Sequence, residues 1–412
     1  MRPGVGAEAG PQVGAGAGPR VGAADRRVLA GALRWVEANL EWFAPGRWEE
    51  FLPRRPFRPG PLLELLGLVR VLDRAGVVAR DAPLARRALD LAEEAVADAE
   101  FGRGLRRGDE LFPYHLNLVA LLELLGRPQP GPRAVCEELL AADAGGHCRA
   151  YKPVLGRLEL RYFADRGGFT APARLPDLGT LYRGSVAALD PDVLQLTASE
   201  TYALTHALFY ATDFGHRRDL LGGAREVARL RGTVRVLLGA QLVRGGLDLL
   251  AELLLCDTAL TGAYGCDALV YDAWAALAGA ARPDGAVPSP VHRPEVLAGL
   301  DGGKAEAYVF GTCYHTTLAA ALAAAVRAGP VAAERPPGCP PLPGADAAGI
   351  GRWAREVPGA GPEVWAPLLA AGVQARDTEA VAAVLGAARR LGHGDDPLVG
   401  AAAALLSAWA GP

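Results

Sequence analysis

The sequence predicts an all-α protein, and three observations carry that expectation. From Arg26 onward apolar residues recur every three or four positions, the interval that lines one face of a helix. Alternating strand patterns are nearly absent. Prolines and glycines fall where helices open and close, with Pro61, Pro113 and Pro132 at or near first turns and Gly76, Gly126 and Gly145 just past last ones. That asymmetry follows from a proline that needs no N–H partner and a glycine free to take positive φ.

The elements follow in order. Residues 1–25 are rich in Gly, Ala and Pro, lack the leucine-rich run of a signal peptide, and are expected to form a disordered tail. VLAGALRWVEANL, PLLELLGLVRVLDRAG, APLARRALDLAEEAVADAE, YHLNLVALLELLG and RAVCEELLAADAG then read as helices. More are expected near 150–164, 190–213, 217–243, 247–262, 266–281 and 305–328. These make one helical domain over 26–330, followed by a Pro-rich linker at 331–345 that contains ERPPGCPPLPG. The C-terminal part, 346–412, holds four shorter stretches near 346–357, 363–374, 377–391 and 396–410 that complete or cap the domain.

With 412 residues, 50% hydrophobic and 22% charged, the chain can bury a sizeable core. Forty-three basic against 46 acidic residues give a formal charge of −3, which offers neither a phosphate-backbone footprint nor a polybasic anchor. Nucleic acid and membrane are therefore not expected partners. Lysine stands only at Lys152 and Lys304 and methionine only at Met1, a GC-rich bias that makes the many arginines weak functional evidence. Six cysteines without a CxxC pair are too sparse for a disulfide scaffold, so reduced thiols in a cytoplasm are expected. LDLLAELLLCDTAL and TTLAAALAAAV fall short of the ~20 apolar residues of a membrane span.

Alternate helices are strongly apolar yet keep one or two isolated polar groups, while their partners look amphipathic. His115, His206, Cys256 and His315 fall on the apolar set, 91, 50 and 59 residues apart. Read as modules of roughly 45–60 residues, they predict inner and outer helices repeated around a closed ring, an α/α toroid of about six or seven pairs. An open solenoid has similar periods, but its modules should resemble one another in sequence, and these do not.

Three segments could carry chemistry. In ASETYALTHALFYATDFGHRRD, Tyr202, His206, Phe209 and Asp213 share one helical face, so Asp213 is expected to orient His206 for proton transfer. The structural alternative is a helix capped by Thr197 or Ser199, with the aromatics packed and Asp213 bonded to the following HRR. In GGLDLLAELLLCDTALTGAYGCDALVYDAW, Asp248, Glu252 and Cys256 form a polar stripe on a very apolar helix. A buried Glu252 needs an arginine, a histidine or a metal beside it, whereas Asp248 could simply face solvent and Cys256 could be an inert core thiol. In AEAYVFGTCYHTTLAAALAAAV, Gly311 and Thr312 are expected to begin the Ala-rich helix, so that Cys313 and His315 meet its positive end. Cys266 and Cys256 lie 47 and 57 residues before Cys313. Two thiols and an imidazole from adjacent helix ends would give three zinc ligands and an open fourth position.

The order His206, Cys266, Cys313, His315 resembles the layout of lanthionine-forming cyclases over roughly residues 195–320. In that family an α/α toroid holds zinc through one cysteine and a Cys-His pair, and an earlier histidine transfers protons. The resemblance implies zinc at Cys266, Cys313 and His315, with Cys256 as the alternative thiol. It also implies a modified precursor peptide as substrate and partner biosynthetic enzymes. Here Tyr314 separates the cysteine from the histidine, and the family's glycine-rich inner-helix signatures are missing. THALFYATDFG is also similar to actinobacterial helical proteins of lanthipeptide gene clusters.

The expected activity is therefore a cyclase of ribosomal-peptide natural-product biosynthesis that adds a cysteine thiol to a dehydroamino acid. With zinc bound at Cys266, Cys313 and His315 the metal would supply the thiolate; without it His206 with Asp213 would serve as base and Tyr202 or His315 as proton donor, with Glu252 in the same cavity. Rival expectations are a glycoside hydrolase or lyase using Glu252 with Asp257 or Asp213, a terpenoid cyclase, and a non-catalytic peptide-binding scaffold. His115 could join the cavity or be a satisfied core histidine. RPFRPG and RGLRRGDELFPYH read as solvated loops or contacts for an acidic group, and Gly302, Gly303 and Lys304 do not make a P-loop.

Overall fold

The computed structural model describes residues 23–262, 268–328 and 361–410, with isolated positions between 342 and 355. Among the described residues the chain is all-α, with eighteen α-helices and no strand. In chain order they are α1 (Ala23–Ala38), α2 (Pro45–Glu49), α3 (Gly60–Arg74), α4 (Pro83–Ala97), α5 (Ala99–Arg107) and α6 (Phe112–Leu124). Next come α7 (Pro130–Ala142), α8 (Val154–Arg166), α9 (Leu178–Arg183), α10 (Ala198–Thr212), α11 (Ala224–Arg244) and α12 (Leu247–Thr261). The last six are α13 (Ala268–Ala280), α14 (Pro294–Leu297), α15 (Gly302–Arg327), α16 (Pro362–Ala375), α17 (Thr378–Arg390) and α18 (Pro397–Ala410).

Local chemistry sets several boundaries that periodicity alone misplaces. The stretch read as one helix over APLARRALDLAEEAVADAE breaks at Asp98, whose carboxylate accepts from the Glu100 N–H and caps α5. α10 begins at Ala198, eight residues later than expected, because Thr197 and Glu200 close a reciprocal capping box there. α15 starts at Gly302, so Gly311 lies inside a continuous helix and begins nothing.

Six helices pack in an order that closes on itself, α3 on α6, α6 on α8, α8 on α10, α10 on α12, α12 on α15, and α15 back on α3. The others lie against this cycle, with α4 on α3 and α6, α9 on α8 and α10, α11 and α13 on α12, and α1 on α15. The helices of the cycle and those that lie against it differ as their surroundings require. α12 is buried at every residue from Leu250 to Leu260, whereas α4 buries a stripe through Leu84, Ala88, Leu91 and Val96.

The seam between the first and last helices of the domain is aromatic. Phe310 on α15 is fully buried, with Trp35 at 5.8 Å, Phe43 at 4.9 Å, Trp48 at 5.5 Å and Tyr314 at 5.3 Å between ring centroids. A buried Arg327–Asp25 ion pair at 2.9 Å joins the same two helices. α15 is long and apolar enough to cross a membrane by length and composition, yet two thirds of its apolar window, 67%, is buried against the other helices, as befits a core helix.

The C-terminal helices sit outside the cycle. α16 packs on α11, and α17 and α18 pack on α16. The close approach is made at Gly239, where a Cβ would come within 2.4 Å of Pro367. Gly239→Ala is therefore expected to overpack this contact, at about 1–3 kcal/mol. Limited proteolysis should show residues 361–410 released faster than in the parent chain, with the remaining helical signal in circular dichroism little changed.

Candidate functional site

Each helix of the cycle contributes a polar side chain to one interacting group. Glu64 comes from α3, Tyr114 from α6, Glu159 from α8, Tyr202 and His206 from α10, Asp248 and Glu252 from α12, and His315 from α15. The contacts run continuously. The His315 ring meets Glu64 Oε2 through Nδ1 at 2.6 Å and Asp248 Oδ1 through Nε2 at 3.5 Å. Asp248, Glu252 and His315 offer one ligand atom each within 4.8 Å of one another. Glu252 Oε2 accepts from Thr205 Oγ1 at 2.5 Å and lies 3.7 Å from His206 Nδ1. His206 stacks on Tyr202 at 3.8 Å between centroids. Asn117 Nδ2 donates to Glu159 Oε1 at 2.8 Å, and Tyr210 also bonds that carboxyl.

Tyr202 and Tyr114 keep 40% and 41% of their surface accessible although both stand on helices of the cycle, so solvent reaches the group at these two rings. The burial of its members shows in their acidities. Burial, reinforced by Asp248, pushes the Glu252 carboxyl up to about 8. Burial alone carries Glu159 up to about 7, against the hydrogen bonds from Tyr210 and Asn117 that hold it down. Burial, then the neighbouring His315, lowers His206 to about 3. For His315 burial also disfavours the charge, but the Glu64 carboxylate overrides it, with Asp248 and Glu252, and raises the imidazole to about 10. Burial and the carboxyls of Glu252, Glu159 and Glu64 raise the Tyr202 phenol. Carboxyls and imidazoles whose acidities are driven in opposite directions within one group that solvent reaches are the arrangement proton-transfer chemistry needs.

Of the residues the sequence singles out, Tyr202, His206, Glu252 and His315 meet here, and Asp248 joins them. Three expectations are corrected. Asp213 does not orient His206. It leaves the helix as its C-cap at φ 48° and accepts from Arg70 Nη2 at 2.8 Å and Tyr162 Oη at 2.6 Å, with Arg74 at 2.8 Å and Arg166 at 3.4 Å. His206 Nδ1 instead bonds its own helix at the Tyr202 carbonyl, 3.1 Å away.

Cys313 does not stand at a helix start. It is buried in mid-helix, its Sγ 3.8 Å from His292 Nδ1, and burial raises the thiol to about 11. Since residues two apart on a helix face different ways, Cys313 and His315 do not converge on one ion; Cys266, the third member of the expected zinc set, lies outside the described residues. Cys256, the alternative thiol, is fully buried with Sγ 3.8 Å from the Thr205 carbonyl, and burial raises it well above the ordinary range.

His115 turns away from the site. It packs between Phe57 and Phe101 beside a separate cavity of about 670 Å³ that Arg54, Arg55 and Arg58 also line. Glu64 and Glu159 are further site residues that periodicity did not single out. Glu64 is an isolated acid in the apolar PLLELLG, the same signal that marked Glu252, whereas Glu159 lies between Arg157 and Arg161 in GRLELRYF and carries no such signal.

The Asp213 cluster generates a stability prediction. Burial opposes the charge on Asp213, but Arg70, the Tyr162 hydrogen bond, Arg74 and Arg166 outweigh it and hold the carboxyl well below the usual range. Asp213→Asn keeps a side chain suited to positive φ but leaves Arg70 buried without its anion, a loss of about 3–5 kcal/mol in denaturant unfolding. A depressed carboxyl contributes stability above its unfolded value of about 4 and loses it below. The gap between wild type and variant is therefore expected to narrow as the pH falls through and below about 4.

The sequence profile of a domain of unknown function (DUF6895) matches residues 29–325. No curated protein and no solved structure matches the chain. The matched segment covers well over half of the chain and reaches from α1 to the last turn of α15, so that it contains every helix of the cycle and every residue of the site; the chain belongs to the DUF6895 family.

Proposed function

We propose that the protein is an enzyme of acid–base chemistry, and that its reaction is the intramolecular addition of a peptide thiol to a dehydroamino acid. The observation that carries the acid–base reading is Glu159, a buried carboxyl bonded by Asn117 Nδ2 at 2.8 Å and by Tyr210, close to the accessible phenols of Tyr114 and Tyr202, and brought to about 7 by its burial. A general base or acid works best with its acidity near the working pH. The thiol addition is supported by the resemblance to lanthionine-forming cyclases and by the closed helix order, which is the architecture that resemblance implies.

The chemistry balances without an oxidant. The Glu159 carboxylate takes the proton from the substrate S–H. The sulfur then bonds the β-carbon as the C=C pair moves onto the amide oxygen. The resulting enolate regains a proton at Cα from Glu159, or from Tyr202 with Glu159 restoring the phenol. Nothing is lost, so product and substrate have equal mass. The substrate would be a dehydrated precursor peptide in a cytoplasm, delivered by the biosynthetic enzymes that dehydrate it.

A second reading, glycoside cleavage, is favoured by one feature. The carboxyls of Glu159 and Glu252 stand on different helices, with the accessible rings of Tyr114 and Tyr202 nearby, and a pair of carboxyls is what glycoside hydrolysis uses.

The test is a synthetic peptide with one dehydroalanine and one cysteine, incubated with the full chain and then alkylated. The expected result is loss of the alkylatable thiol at unchanged mass. Glu159→Gln should slow it by about 10²–10⁴-fold while the helical signal is retained. The groups facing Glu159 are Tyr114 and Asn117 from α6 and Tyr202 and Tyr210 from α10. With Glu159 as the base, the rate should rise as the pH passes about 7 and level off above it. No thiol loss with the folded chain, or a Glu159→Gln rate equal to wild type, would overturn the reading; release of reducing sugar from an oligosaccharide panel would move the assignment to glycoside cleavage.

A further inference from the structure

Away from Glu159, the α12–α15 wall of the site holds a donor set of a different kind. Asp248 and Glu252 stand one turn apart on α12 and so project from the same face, while His315 reaches them from α15. One oxygen of each acid and one ring nitrogen of the histidine lie within 4.8 Å of one another, a spacing that modest side-chain rotation brings to the coordination shell of one ion, whose bonds to such donors are about 2.0–2.2 Å long.

Two further observations point to a ligand rather than to a chance cluster. The first is the orientation of His315. Glu64, from a third helix, binds Nδ1 at 2.6 Å, which turns Nε2 toward Asp248 Oδ1 at 3.5 Å. A carboxylate behind one ring nitrogen, with the other nitrogen directed into a group of acids, is how metal-binding imidazoles are held. The second is Asp248 Oδ1, an atom shut off from solvent that faces His315 Nε2 at 3.5 Å without closing a hydrogen bond to it. A buried carboxylate oxygen held that far from its donor is poorly satisfied, and a cation that displaces the imidazole proton would bind both atoms. Glu64 and Asp248 both face the His315 ring, and Glu252 lies between it and His206, so the donors belong to one contiguous group.

We infer that Asp248, Glu252 and His315 bind one divalent transition-metal ion, with Glu64 orienting His315 behind them. Two carboxylates and an imidazole suit Mn²⁺, Fe²⁺ or Zn²⁺ better than Ca²⁺ or Mg²⁺, which take oxygen ligands. Three protein ligands leave the remaining coordination positions open. The set shares only His315 with the thiolate site expected from the sequence and contains no sulfur. The inference goes beyond the acid–base reading and does not depend on it, since ion binding is measured without substrate.

The experiment uses the full chain, freed of metal with a chelator, and titrates Mn²⁺ by electron paramagnetic resonance and Zn²⁺ by calorimetry. One ion per chain is expected. Binding should disappear in Asp248→Asn and in His315→Gln, both close in shape to the native side chains, with the helical signal in circular dichroism checked for each. Glu64→Gln should weaken it by about 10–100-fold, and Glu159→Gln, Cys313→Ser and Cys266→Ser should leave it unchanged. Absence of stoichiometric binding by the folded chain would overturn the inference, as would full binding by Asp248→Asn and His315→Gln or its loss in either serine variant. Should no ion bind while Glu159→Gln still abolishes thiol loss, the cation site falls and the acid–base reading stands.

Discussion

The carboxylate of Asp213 is the fixed point of the fold. It ends α10 in a left-handed turn and gathers Arg70 and Arg74 from α3, and Tyr162 and Arg166 from α8. Helices that meet at one end are thereby held in register along their length. Glu64 stands six residues before Arg70, Glu159 seven before Arg166, and His206 seven before Asp213. At 1.5 Å per residue each lies about 9–10 Å from the clamp, so three helices present their functional side chains at one level. The residue that the sequence suggested as the partner of His206 thus acts on the site from the other end of the same helix.

That arrangement also decides which end of the cycle is polar. Glu64, Tyr114, Glu159, Tyr202 and Asp248 all fall in the first half of their helices, where the aligned peptide dipoles leave partial positive charge. The far end is already committed to the arginine cluster. Between them α12 is apolar on every side except at Glu252, Asp257 and Thr258. A buried acid in such a helix must be neutralised, hydrogen-bonded or paired, and Glu252 has the Thr205 hydroxyl for one oxygen and its shifted acidity for the remainder.

Much of this was legible in the sequence. The three-and-four spacing located most helices, and isolated polar groups on apolar helices marked Tyr202, His206, Glu252 and His315. The same rule applied to every such acid would have included Glu64, while Glu159 is hidden among the charges of its own helix, between Arg157 and Arg161. What periodicity could not supply was where a helix stops being one. Seven residues place His206 and Asp213 on a common face only if α10 continues through Asp213, and the left-handed cap removes that condition. Likewise Cys313 and His315 could converge only at a helix start, and α15 begins at Gly302, so the continuous helix sends them apart. The pairing of Glu64 with His315 spans 251 positions; it follows from the return of α15 onto α3, which local patterns do not encode.

The sulfur chemistry suggested by six cysteines shifts to oxygen and nitrogen for the same physical reason. Cys136, Cys148, Cys256 and Cys313 are all buried, and for each of them burial raises the thiol, so none is poised as a nucleophile at neutral pH. Among the described cysteines none offers a reactive thiol, so in the proposed addition the thiol comes with the substrate. What the protein supplies is a proton acceptor near neutrality, a phenol within the same group, and the positive ends of several helices. On the proposed addition, an enolate oxygen formed among those helix ends would be stabilised by dipoles already in place before the substrate enters, which is where preorganised electrostatics is worth most.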